Sequence, residues 1–255
     1  DEINLLRKIR HPNVLQLYEI FESENNIHLI LEHLNGKELF DQIKERGYYS
    51  EKDAATILRC ILNALVVLHS NNIVHRDLKP ENLIFRDDNL NSLVIIDFGL
   101  STTCREGPQF TRCGSPGYVA PEILNNQGYG CKVDIFSLGV IMYILLTSKF
   151  VFNAKDYNEI LRKNKQCKVY FPKRLWENLS EEAQDLCKKM LDKNPSSRLD
   201  AQQALNHKWF KIYNEEPNLM PRGSGTIGEK NMFNQKQREA LKMAQQDDLD
   251  FNTLE

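Results

Sequence analysis

The feature that most constrains this chain is an ordered set of polar motifs. The first is His75-Arg76-Asp77-Leu78-Lys79-Pro80-Glu81-Asn82. Fifteen residues beyond its Asn, Asp97-Phe98-Gly99 closes the apolar run Leu93-Val94-Ile95-Ile96. Ala120-Pro121-Glu122 stands further on. One carboxylate with a lysine two residues later, then an amide, then a second carboxylate at a strand end suits metal-assisted phosphoryl transfer. Asp97-Phe98-Gly99 alone would be a weak signal. The alternative, chance loops on an unrelated fold, requires all three motifs to fall in this order by accident.

Composition narrows the class. The chain has 255 residues, 41% hydrophobic and 27% charged, enough for a sizeable core in one large domain or two small ones. Net charge is −2, from 33 basic and 35 acidic residues, so no global basic excess points to nucleic acid. Six scattered cysteines without a C-x-x-C pair read as reduced thiols of an intracellular, cytoplasmic protein, not as a disulfide framework or zinc site. The apolar stretch Val133 to Leu146 contains Asp134 and is too short to span a bilayer, so no membrane role is expected. The chain opens on Asp1-Glu2-Ile3 without an initiator Met, which reads as a fragment or a sequence lacking its start.

Periodicity places the motifs. Ile3, Leu6 and Ile9 sit at helical spacing before the stop His11-Pro12-Asn13. Val14 to Phe21 and Ile27 to Glu32 read as two strands joined by a polar turn. Glu38 to Arg46 reads as a short helix ending at Gly47. Ser50 to Asp53 resembles a capping box, opening a helix with Ala54, Leu58, Ile61, Leu62, Leu65 and Leu68 on one core-facing stripe. Short strands follow around Leu83 to Phe85 and Leu93 to Ile96, then a polar loop over residues 100–119, long enough to be functional. Val133 to Leu146 is apolar nearly all round and predicts a buried central helix. Ser180 opens another helix, and His207-Lys208-Trp209-Phe210 closes the globular part. Residues 211–255 read as a linker and a further helical stretch, roughly Asn231 to Gln246.

These motifs resemble the eukaryotic serine/threonine protein kinases over about residues 1–210. Glu38-Leu39-Phe40-Asp41-Gln42-Ile43, Cys113 through Glu122 and Tyr143-Ile144-Leu145-Leu146 are similar to the calcium/calmodulin-dependent group, and plant- and protist-type calcium-dependent kinases fit equally well. The resemblance implies an α+β, bilobal fold. Its small lobe, residues 1–34, would be a truncated helix plus two strands, and its mainly helical large lobe, residues 38–210, complete.

The resemblance also assigns roles. Asp77 is the base that orients and deprotonates a substrate hydroxyl, and Lys79 offsets charge on the transferring phosphate of ATP. Asn82 and Asp97 supply oxygen ligands for Mg²⁺. Backbone groups of Glu32 and Leu34, beyond the gatekeeper position Leu31, meet adenine. Glu38 and Glu81 contact a basic residue upstream of the target Ser or Thr, although either could be a solvated acid. Arg76 pairs with a phosphate placed on Thr111 by an upstream activating kinase; an unmodified Thr111 is the plain alternative. Leu6, Leu17, His75 and Phe98 stack as a column anchored on Asp134. Glu122 and Arg198 form a buried ion pair. The stretch from Lys230 to Met243, amphipathic and basic, suits a regulatory helix or a calmodulin-like partner, or simply a loosely attached helix.

Departures are clear. No G-x-G-x-x-G and no strand lysine of the V-A-I-K type occurs in the 255 residues, so both are expected upstream, where the lysine would pair with Glu2. Phe136 stands where Trp is usual, Ser115 where Thr is, and Ser148-Lys149-Phe150-Val151-Phe152 lacks the usual Gly and Pro-Pro. Three readings therefore stand: an ATP- and Mg²⁺-dependent protein kinase acting on protein substrates, an inactive kinase-like scaffold or regulator, and a small-molecule kinase.

Overall fold

The computed structural model describes residues 2–213, with side chains from Leu5 onward. The small lobe holds helix α1 (Glu2–Lys8) and strands β1 (Leu17–Glu22) and β2 (Ile27–Leu31), paired antiparallel. The first strand starts later than its apolar run suggests. Val14 and Leu15 instead cross to the large lobe, where Leu15 N–H donates to the Ile95 carbonyl at 3.0 Å. Tyr18, Phe21, Ile27, Ile30 and Leu31 of this hairpin are exposed.

The large lobe begins with α2 (Leu39–Arg46) and α3 (Glu51–Ser70). Gly47 closes α2 at φ 88°, a conformation glycine reaches without Cβ strain. The Ser50 side chain caps α3 by accepting from Asp53 N–H; the reciprocal half of the expected box is not formed. Helix α3 is long and apolar enough by composition to cross a membrane, a feature the reading of Val133 to Leu146 overlooked. Its stripe from Ala54 to Leu68 is buried in the domain core, as a central helix requires.

Strands β3 (Ile73–Val74), β4 (Leu83–Phe85), β5 (Leu93–Ile95) and β6 (Thr102–Thr103) follow. They pair as two antiparallel ribbons, β3 with β6 and β4 with β5. The β6 pairing lies inside the stretch expected to be loop throughout; two residues carry no readable period. Next come α4 (Pro121–Leu124), α5 (Lys132–Thr147), α6 (Tyr157–Gln166), α7 (Lys173–Trp176), α8 (Glu181–Met190), α9 (Ala201–Leu205) and α10 (Lys208–Ile212). Helix α5 is buried from Val133 to Thr147, as its all-round apolarity predicts. Phe136, where a larger indole is usual, stacks on Phe152 at 6.4 Å, so the altered residues of the following loop fill the space beside it.

Glu51 holds the last described helix in place. Its carboxylate accepts from Ser180 N–H and Oγ, Trp209 Nε1 at 2.7 Å and Tyr213 Oη at 3.1 Å, joining α3, α8 and α10. The predicted 231–246 helix lies outside the described residues.

Candidate active site

The loop from His75 to Asn82 is shaped by a carboxylate far along the chain. After β3 the chain passes through Arg76 at φ 71°, a left-handed conformation that a non-glycine residue holds only when its surroundings fix it. The surroundings are the buried Asp134 carboxylate, which accepts from His75 N–H at 3.0 Å and Arg76 N–H at 2.9 Å. Burial alone would push the Asp134 pKa up. Its hydrogen bond with His69, at 2.9 Å, and the neighbouring His75 reverse that and hold the carboxyl below its usual range. The His75 ring meets Phe98 edge-on at 5.0 Å, and Leu6, Leu17, His75 and Phe98 are all buried, as the column expects.

Asp77 is almost wholly enclosed, and both of its carboxylate oxygens have partners. Oδ1 accepts from Ser115 N–H at 3.0 Å and Ser115 Oγ at 2.7 Å. Oδ2 receives Asn82 Nδ2 at 3.2 Å and Lys79 Nζ at 3.0 Å. Lys79 also donates to Ser115 Oγ at 2.8 Å. Ser115 thus sits between Asp77 and Lys79, a placement that its position in the sequence did not disclose. Gly114 makes the approach possible: at φ 101° it brings the loop so close that a Cβ would stand 2.7 Å from the Arg76 carbonyl oxygen.

Asp97 is brought to the same place through the backbone. Ile96 N–H donates to the Asn82 carbonyl at 3.0 Å, and the Ile96 carbonyl meets His75 Nε2 at 3.1 Å. The next residue, Asp97, takes φ 58° and has an exposed carboxylate, which among the described residues accepts only from Gly99 N–H, at 3.1 Å. Asn82 donates its amide nitrogen to Asp77, and its Oδ1 accepts no hydrogen bond among the described residues. An amide oxygen and an exposed carboxylate are hard donors of the kind that Mg²⁺ takes when phosphates and water complete its shell. No cluster of three or more His, Cys, Asp or Glu that could hold a metal alone occurs among the described residues.

Glu81 borders the base. Its Oε2 is buried and unpartnered among the described residues, and burial pushes its pKa up, with Asp77 and Glu38 adding in the same direction against Lys79. The Tyr118 hydroxyl nearby is likewise buried and unpartnered.

Arg76 turns away from Asp77 toward the long loop. Its Nε donates to the Leu100 carbonyl at 2.5 Å and its Nη1 to the Tyr129 hydroxyl at 3.1 Å. Tyr129 in turn donates to the Thr111 carbonyl at 2.6 Å, while Thr111 itself is exposed. Burial raises the Tyr129 pKa to about 12, so it remains a donor at neutral pH.

On the hinge side, Glu32 N–H donates to the Gln16 carbonyl at 2.9 Å, and its carboxylate pairs with Arg86. The Glu32 carbonyl and both backbone groups of Leu34 make no backbone hydrogen bond among the described residues. Leu31 is partly exposed beside them. The Glu2 side chain lies outside the described residues. Far from the base, Arg198 and Glu122 form the expected bidentate pair at 2.6 and 2.9 Å, both buried.

The comparisons agree with this geometry. The protein kinase domain family matches residues 1–210. Myosin light chain kinase A of Dictyostelium discoideum is 44% identical over 215 residues, 84% of this chain and 73% of that protein. Calcium/calmodulin-dependent protein kinase type IV of Rattus norvegicus is 46% identical over 211 residues, 82% of this chain and 44% of that protein. The type 1B enzyme of the same organism is 42% identical over 211 residues, 82% of this chain and 62% of that protein. The chain spans from 41% to 73% of the length of the curated relatives it matches. With its motifs, its fold and these matches in agreement, the chain belongs to the protein kinase domain family.

Proposed function

We propose that this chain provides the catalytic core of a protein serine/threonine kinase that transfers the γ-phosphoryl group of ATP to Ser or Thr hydroxyls of proteins. The enclosed Asp77 carboxylate, held by Ser115, Asn82 and Lys79 beside the exposed Asp97, carries this reading. Asp77 orients the substrate hydroxyl and accepts its proton. The hydroxyl oxygen then bonds to the γ-phosphorus as the bond from that phosphorus to the bridging oxygen breaks. Lys79, three ångströms from the base, offsets charge on the transferring group. Mg²⁺ held by Asp97 and Asn82 supplies neutralisation of the phosphate oxygens when bound. Backbone groups of Glu32 and Leu34 offer hydrogen bonds to adenine.

The buried, unpartnered Glu81 oxygen favours substrates with a basic residue upstream of the target, with Glu38 adding to the negative field. Arg76 and Thr111 form the regulatory end, with an upstream kinase as the activating partner. A calmodulin-like regulator acting on residues 211–255 is suggested by the amphipathic sequence of that stretch and by the names of relatives; residues 214–255 lie outside the described part. Six free thiols fit an intracellular, cytoplasmic place. The inactive-scaffold alternative is not favoured, since the base, lysine and both oxygen ligands are present and the named relatives are kinases.

The test is a pair of serine peptides, one basic and one acidic upstream of the serine, offered to the protein at its natural length with ATP and Mg²⁺. Faster phosphorylation of the basic peptide, and none when its serine is alanine, supports the reading. Equal rates on both peptides would contradict the substrate preference.

A further inference from the structure

The stretch that a bound peptide must follow begins at the base, because Ser115 touches Asp77 through both its N–H and its hydroxyl. The residues just beyond are buried in the core, with Tyr118, Val119 and Ala120 almost fully enclosed. A cavity of about 30 Å³ lies behind Gly117 and Tyr118, against Val140, Phe150, Phe152 and Ile160. A Cβ at Gly117 would meet only the Ile160 side chain, at 3.7 Å. Side-chain hydrogen bonds hold the backbone of the same stretch. Gly117 N–H donates to Asn164 Oδ1 at 2.9 Å, and Asn164 Nδ2 donates to the Val119 carbonyl at 2.8 Å. The Tyr118 carbonyl between them accepts from Ser137 Oγ at 2.9 Å.

Asn164 is fully buried in the last turn of α6. An amide there is a poor helix former and is costly to bury unless both its ends are paired. Both are paired, each to the backbone of the substrate-facing stretch and neither to its own helix. None of its hydrogen bonds goes to Asp77, Lys79, Asn82 or Asp97.

We infer that Asn164 is a positioning residue for the peptide substrate. Its amide clasps the backbone of Gly117 and Val119 and fixes the surface along which the peptide lies, without acting on phosphoryl transfer. This inference rests on the kinase reading above. It separates peptide binding from chemistry, which a merely structural role would not do.

The experiment uses the protein at its natural length, with peptide and ATP varied separately. Asn164→Leu removes both bonds at similar volume, and Asn164→Ala removes them while leaving room to relax. In either folded variant the peptide KM should rise about tenfold, with kcat and the KM for ATP within about twofold of the parent. An unchanged peptide KM would overturn the inference, and so would a fall in kcat with peptide KM unmoved. Failure of both variants to fold would make Asn164 a stability residue and likewise overturn it. Absence of transfer by the parent protein would defeat the kinase reading itself, an outcome visible before any variant is compared.

Discussion

Ser115 Oγ lies 2.7 Å from Asp77 Oδ1 and 2.8 Å from Lys79 Nζ, so one hydroxyl links the base to the lysine. The residues are 38 positions apart in the chain, and the contact exists only because the loop after Thr111 folds back over the catalytic loop.

Ser115→Ala should therefore lower kcat. A hydrogen bond to a charged group contributes about 1.5–3 kcal/mol, or roughly 10- to 100-fold in rate. Ser115→Thr keeps the hydroxyl and should retain most activity. Steady-state rates of the two variants, compared with the parent, check this; equal losses in both would show that the hydroxyl is not the operative group.

The Glu122–Arg198 pair should be a stability element. Either Glu122→Ala or Arg198→Ala leaves an uncompensated buried charge, at a cost of about 3–5 kcal/mol. In a domain of this size that corresponds to a drop in Tm of about 6–20 °C. Thermal unfolding of the single variants measures it. A shift of only a degree or two would show that the pair is dispensable.

Glu81 should exert opposite effects on stability and selectivity. Burial raises its pKa above the unfolded value, so the folded state holds the proton more tightly. The resulting penalty is absent at acid pH, where both states are protonated. It grows as pH rises above the ordinary carboxylate range and is complete above the raised pKa. Glu81→Gln should then stabilise the protein at neutral pH, lose that advantage at acid pH, and reduce the preference for basic peptides. Unfolding curves at two pH values, with peptide kinetics beside them, test all three; a variant less stable at neutral pH would contradict the account.

Arg76 is already held by Leu100 and Tyr129, so the loop has neutral ties before any phosphate arrives. Phosphorylation of exposed Thr111 should add charge-assisted bonds and raise activity about tenfold. Thr111→Ala should leave the basal rate, and Arg76→Ala should abolish the response. Assay before and after phosphatase treatment measures the ratio.

Much of this was legible in the chain. Apolar period marked α3, α5 and α8, and motif order brought Asp77, Lys79, Asn82, Asp97, Glu122 and Arg198 to their places. Local pattern failed where the signal is long-range or weak. Helix α6 is so polar that its stretch showed no core stripe, and its one buried side chain, Asn164, is explained only by partners 45 and 47 positions away. Tyr129 reads as an ordinary loop aromatic until its hydroxyl is seen between Arg76 and Thr111. The capping box Asp200/Gln203 at the start of α9 is a local signal, readable from its spacing alone.

The most direct test of the central claim is the rate of γ-phosphoryl transfer from ATP to a serine peptide by the protein at its natural length, with Asp77→Asn measured alongside. Kinase turnover on the order of 1–100 s⁻¹ is expected for the parent. The variant should be about 10²- to 10⁴-fold slower while ATP and peptide still bind. Equal transfer by parent and variant would contradict the assignment of Asp77 as the base on which this site is built.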